Sequence, residues 1–163
     1  MTRICPSKVN SCTNYEIYKG MYSSLNSKNL FEISYSLNRQ FGNGGICKNQ
    51  HLLSFVDNHD VERICSKLNN RLAFAPVHIL LYTLPGVPSV YYGSEFGIEG
   101  RKERFSDDSL RPALNYDEYK EAKDTNACTK LIAALGKIRQ NTPALCYGDY
   151  SELELQTTHF AYA

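Results

Sequence analysis

The chain reads as an α/β protein built around a parallel sheet, and two apolar segments with the stretch between them carry that reading. Leu52-Leu53-Ser54-Phe55-Val56 passes into Asp57-Asn58-His59-Asp60, and a second run, Gly86 to Tyr92, passes into Gly93-Ser94-Glu95. Each has the pattern of a strand buried on both faces that opens into a polar loop. Residues 71–84 between them are apolar and of helical length. A strand, a helix and a strand in that order imply a right-handed parallel crossover. In parallel barrels, the loop after each strand is where functional groups gather. With 163 residues the chain can hold one sizeable core, but it falls short of the about 250 that a closed eight-stranded α/β barrel needs.

From the N-terminus, residues 8–13 are weakly strand-like and lead into Asn14-Tyr15-Glu16-Ile17-Tyr18-Lys19-Gly20. A helix is expected from Asn29, which has capping-box spacing to Glu32. Leu30, Ile33, Leu37 and Phe41 form its apolar stripe, and Gly42, Gly44 and Gly45 end it. A short helix is expected from Asp60 to the break at Asn69-Asn70. In the 71–84 helix, Pro76 either introduces a kink or marks the first turn. Pro85-Gly86 then turns the chain into a strand over 87–92. Residues 93–124 read as a long loop with little regular structure, and loops of that length are usually functional or disordered. Leu131, Leu135 and Ile138 mark a last helix that stops at Thr142-Pro143. Beyond it, Leu153-Glu154-Leu155-Gln156-Thr157 alternates, and with His159 to Tyr162 it predicts a hairpin. The period changes from 3.6 to 2 here, so a β-rich unit begins after the last helix.

Charge is balanced, with 18 Lys and Arg against 17 Asp and Glu. The basic residues are scattered, which excludes a nucleic-acid stripe. No apolar stretch reaches the roughly 18 residues of a membrane span, and Met1 to Pro6 lacks the apolar core of an export signal. Six cysteines (Cys5, Cys12, Cys47, Cys65, Cys128, Cys146) include no Cys-x-x-Cys pair. They lack the spacing of a zinc or thioredoxin-like site and read as small buried thiols of a reducing compartment, so a cytoplasmic setting and no metal are expected. The 12 Tyr residues, with no Trp, suit an amphipathic ligand such as a carbohydrate.

Asp60 is the central candidate. A carboxylate after a buried strand can bind sugar hydroxyls or stabilise a positively charged transition state; equally, it can cap the helix that follows. His59 can donate to a hydroxyl or satisfy a buried neighbour. Asn58 completes the polar pair before Asp60, and Asp57 is expected to bond backbone amides in the turn. Arg63, three residues past Asp60, approaches it if the segment is helical. Tyr91 and Tyr92 should face opposite ways on a strand, one into the core and one toward the loops. Asp107 and Arg111 in the long loop can grip hydroxyls through charge-assisted bonds, or form a plain surface ion pair. Glu95 reads as a solvated loop carboxylate. Glycoside hydrolysis usually needs two carboxylates, and the nearest second candidate, Glu16, is a poor one.

These pieces, in this order, resemble the C-terminal half of an α-amylase family enzyme (glycoside hydrolase family 13), most of all bacterial α-glucosidase, neopullulanase and maltogenic-type members. Phe55-Val56-Asp57-Asn58-His59-Asp60 resembles the family signature after barrel strand seven, and Gly86 to Glu95 the strand-eight segment. Tyr15 to Gly20 looks like the exit of strand six, and Asp107-Asp108-Ser109-Leu110-Arg111-Pro112 like the loop before helix eight. The resemblance implies a partial (β/α)8 barrel over residues 1–142, holding strands six to eight, and the start of an all-β C-terminal domain over 143–163. It further implies that Asp60 is the transition-state-stabilising carboxylate and that His59, Asp107 and Arg111 bind glucose units. Tyr18 and Lys19 would be wall residues, with Asn58, Arg63 and Tyr92 in support. The nucleophile and acid/base motifs of the family do not occur, nor does anything like its calcium-bearing domain, so a calcium site would belong to other parts of such an enzyme. The expected ligands are α-linked glucose oligosaccharides, and the chain alone is expected to be inactive. Two alternatives are an independent maltooligosaccharide-binding half barrel and a half barrel that covers its open sheet edges by homo-oligomerisation.

Overall fold

The computed structural model describes residues 11–163; Cys5 and the first half of the strand expected over 8–13 lie outside them. The described part of that strand is a parallel bridge from Thr13 to Leu53. Leu53–Phe55 (β1) pairs in parallel with Val87–Ser89 (β2), Leu53 opposite Val87 and Phe55 opposite Ser89. The order Thr13, β1, β2 is the parallel arrangement expected, with shorter strands. Among the described residues both outer edges are unpaired.

Two helices precede β1. Tyr15–Ser27 (α1) begins where the Asn14 side chain accepts a hydrogen bond from the Ile17 amide at 3.1 Å. Residues 14–20, expected to be a strand exit, are thus the start of a helix. Gly20 masked it, because glycine costs a helix about 1 kcal/mol. It is there for closeness: a Cβ would stand 2.9 Å from Ile33 Cδ1 on Phe31–Phe41 (α2). The expected capping box of α2 does not form. Asn29 Oδ1 accepts from the Phe31 amide at 3.2 Å, but Glu32 turns to Lys19 and Ser23 on α1. The stripe itself is as expected, with Ile33, Leu37 and Phe41 buried.

After β1 the helix expected from Asp60 starts four residues late, as Ile64–Lys67 (α3). A 3-10 turn at Arg71–Ala73 leads into Phe74–Thr83 (α4), with Pro76 in its first turn. The segment 93–124 is mostly irregular, yet it contains 3-10 turns at Ser94–Phe96 and Asp108–Leu110 and short helices at Tyr116–Tyr119 (α5) and Ala122–Thr125 (α6). Ala127–Gln140 (α7) starts where Asn126 accepts from the amides of Cys128 and Thr129, and it packs on α4. Pro143–Tyr147 (α8), which the sequence reading lacked, precedes the expected hairpin of Glu152–Leu155 (β3) and Phe160–Tyr162 (β4). Asn38 Nδ2 donates to Glu152 Oε2 at 2.8 Å and ties that hairpin to α2. Of the five described cysteines, all free, only Cys65 is buried; burial pushes its thiol up to about 11. No described helix is long and apolar enough to cross a membrane.

His78 sits on α4, fully buried. Its Nδ1 lies 2.9 Å from the Phe74 carbonyl, and its Nε2 has no partner. Burial lowers its pKa to about 4, against about 6.5 in an unfolded chain. The neutral form is the one that folds, so stability is full above about pH 6.5 and falls as the unfolded chain takes up the proton. We expect a loss of about 2 kcal/mol between pH 7 and 5. Urea melts of the wild type and His78→Phe at both pH values check this: the variant should lose far less over the same interval. Asp57, whose pKa burial raises, acts in the opposite direction at lower pH.

Candidate functional site

The polar cluster forms where β1 runs out. Val56 and Asp57 are still buried, and Asn58, His59 and Asp60 follow into the loop. Asp57 is the anchor. Its carboxylate accepts from Ser94 Oγ at 2.6 and 2.8 Å and from the Ile64 amide at 2.8 Å. That joins the loop after β1 to the loop after β2 and starts α3. Burial holds its pKa above the usual carboxylate range, while those donors and Arg63 pull the other way. The expectation that Asp57 bonds a backbone amide is met.

Asn58 shapes the next step. Its Oδ1 accepts from the Asp60 amide at 2.8 Å, a local turn of the kind Asn favours, and its Nδ2 donates to Tyr15 OH at 3.2 Å. The Asp60 side chain is left half exposed between an imidazole and a guanidinium: Oδ2 is 3.3 Å from His59 Nε2 and Oδ1 is 3.8 Å from Arg111 Nη2. The same Arg111 nitrogen lies 3.4 Å from Asp107 Oδ2. Lys102 Nζ donates to the Asp60 carbonyl at 3.1 Å. His59, Asp60, Asp107 and Arg111 therefore converge. Exposed pairs such as these add little stability; what they provide is an array of charge-assisted donors and acceptors open to a hydroxylated ligand.

Several expectations need correction. Arg63 does not approach Asp60, because residues 60–63 are not helical; Asp57, not Asp60, receives the first amide of α3. Instead Arg63 is fully buried and donates to the carbonyls of Tyr92 (2.6 Å) and Leu110 (2.7 Å). Tyr91 and Tyr92 do not face opposite ways. β2 ends at Ser89, the chain turns at Gly93 with φ 86°, and their rings meet edge to face 4.7 Å apart beside the Arg63 guanidinium. Tyr92 OH donates to the Pro112 carbonyl at 2.9 Å.

Tyr18 is buried and stacks on Phe55 (4.8 Å), and burial pushes its phenol up. It supports β1 from the helix side. Lys19 is held by Glu32, and Glu16 by Arg39 at 3.0 Å from Nε. Neither makes a described polar contact with the cluster. Glu95 is only partly solvated: its Oε2 is shut off from solvent and unpartnered. Tyr15 and Lys102 were missed by sequence reasoning. Tyr15 sits at the first position of a helix that the sequence concealed, and nothing in the local sequence of Lys102 marks its reach to Asp60.

Residues 13–148 match the sequence pattern of the α-amylase catalytic domain. The chain belongs to the α-amylase family. A cyclomaltodextrin glucanotransferase of Bacillus sp. (strain 1-1) is 31% identical over 111 residues, 68% of this chain and 14% of that protein. One from Geobacillus stearothermophilus is 31% identical over 97 residues, 60% of this chain and 12% of that protein. The chain thus spans a small part of the curated relatives it matches, which carry a transferase name instead of the α-glucosidase, neopullulanase or maltogenic names expected. In fold, it is similar to an α-amylase from Malbranchea cinnamomea (TM-score 0.79, 22% identity, 97% of this chain and 33% of that one). It is likewise similar to the cyclomaltodextrin glucanotransferase CldA (TM-score 0.77, 22% identity, 92% and 29%).

Proposed function

We propose that this chain is the C-terminal part of a (β/α)8 catalytic domain, residues 1–142, with 143–163 opening a β-rich C-terminal domain. The whole protein would cleave or transfer α-glucosidic bonds of glucans or maltooligosaccharides with retention. The observation that carries this reading is the convergence of His59, Asp60, Asp107 and Arg111 at the end of a buried parallel strand. The sheet edges, unpaired among the described residues, fit it too, as further barrel strands would cover them. In a retaining reaction the sugar passes through an oxocarbenium-like state. Asp60 would stabilise that positive charge, while His59 and Arg111 donate to ring hydroxyls and Asp107 accepts from them.

Retention also requires a nucleophile and an acid about 5–5.5 Å apart, and the carboxylates nearest the cluster are otherwise engaged. Asp57 is buried on Ser94, one oxygen of Glu95 is shut away from solvent, and Asp107 stands against Arg111. The purified chain should therefore show no turnover of maltooligosaccharides. In a longer protein that supplies the missing groups, Asp60→Asn should lower kcat about a thousandfold. Turnover by the chain alone that Asp60→Asn abolishes would overturn the proposal.

A further inference from the structure

We infer that Phe105 is an aromatic platform for a glucose unit beyond the one held at Asp60, and that it sets a preference for longer oligosaccharides. This rests on the reading of the cluster as an α-glucan site. Residues 101–108 leave and return through one neck. At that neck Gly100 lies so close to Ser109 that a Cβ would collide with the Ser109 carbonyl oxygen. The neck is pinned to α3 and its approach: Arg63 N donates to the Gly100 carbonyl at 3.0 Å, and the Gly100 amide donates to Ser66 Oγ at 2.9 Å. Ser109 Oγ donates to the Arg101 carbonyl across the two limbs. Both limbs also reach the cluster. Lys102 on the outgoing limb donates to the Asp60 carbonyl, and Asp107 on the returning limb stands against Arg111.

Phe105 lies between those two tethers, its Cα within about 7 Å of that of Asp107. At 90% exposed it is the most exposed large apolar side chain described, and the Arg104 guanidinium is 5.1 Å from its ring centroid. Single exposed apolar residues are common and need no explanation. This one differs by being held, on a loop fastened at three points, beside an array that otherwise offers polar groups. A hexose presents apolar C–H faces as well as hydroxyls, and an aromatic ring takes up such a face. Two residues from Asp107 and on a different loop from Asp60, the ring is offered to a further sugar of a longer chain, which a disaccharide seated at Asp60 does not supply.

The test is titration of the 15N-labelled chain with maltose and with maltohexaose, followed by amide shifts, which also report that each variant is folded. Wild type should bind maltohexaose about fivefold more tightly than maltose, the size of one aromatic contact. Phe105→Ala should bring the two affinities together, Phe105→Tyr should keep them apart, and Arg111→Ala should weaken both. A wild type without the length difference, or a Phe105→Ala variant that retains it, overturns the platform and leaves the site standing. Absence of shifts with either sugar in wild type overturns the site reading and the platform with it.

Discussion

Arg63→Ala should lower the stability of the chain by about 3–5 kcal/mol and disperse the cluster around Asp60. Arg63 is the largest fully buried side chain described. Its two terminal nitrogens fasten the Tyr92 and Leu110 carbonyls, and its guanidinium lies 4.2 Å from the Tyr91 ring centroid. Truncation leaves the buried Leu110 carbonyl and the part-buried Tyr92 carbonyl without their donor, at a cost of about 1–3 kcal/mol for a buried one, and adds a cavity. Lysine is no substitute, because a point charge cannot span both carbonyls. The consequence for the site follows from Leu110, whose neighbour Arg111 holds both Asp60 and Asp107. Urea unfolding measures the first effect, and the amide shifts of residues 107–111 report the second. A variant that loses less than about 1 kcal/mol and keeps those shifts would mean that the two carbonyls find other partners.

The features legible in the sequence are those that periodicity and turn residues encode. The runs at 52–56 and 87–92, the stripe of Ile33, Leu37 and Phe41, and the alternation at 153–157 each correspond to an element of the expected type. His59, Asp60, Asp107 and Arg111 were named from their place after a buried run and in the long loop and from the family resemblance, and their side chains lie close together. What stayed hidden depended on a partner distant in sequence. Gly20 reads as a breaker until the approach of Ile33 explains it. Arg63 reads as a neighbour of Asp60 because spacing of three suggests a helical turn. The turn is absent, since Asp57 spends its carboxylate on Ile64 and Ser94. Tyr15 and Tyr18 differ only by helix phase, which cannot be assigned where no helix is seen: one reaches Asn58, the other stacks under Phe55. Short helices such as α5, α6 and α8 lack the length for a readable period.

Arg139 is the second residue whose replacement should have a large effect, and it lies away from the cluster. It occupies the last turn of α7, where a basic residue is ordinarily a solvated complement to the helix dipole. Here it is buried. Nη1 donates to the carbonyls of Tyr82 (2.6 Å) and Leu84 (3.3 Å), and Nη2 to that of Gly86 (2.5 Å). Those three carbonyls close α4 and lead into β2, and Gly86 has φ 114°, a left-handed backbone that cannot supply them with helical partners. Burial lowers the Arg139 pKa from its ordinary value, and a guanidinium keeps its charge near neutrality all the same. One charge thus satisfies the turn that sets the height at which β2 meets β1. Arg139→Met keeps the apolar stem and bares the carbonyls, so we expect a loss of about 3–5 kcal/mol. Arg139→Lys should recover only part of it, because a single ammonium cannot reach all three. Thermal and urea melts of both variants decide the point, and equal stability of Met and wild type would show that water satisfies the turn instead. With β2 displaced, Ser94 would leave Asp57, so hydrogen exchange at the Ile64 amide should rise in step with the loss at Arg139.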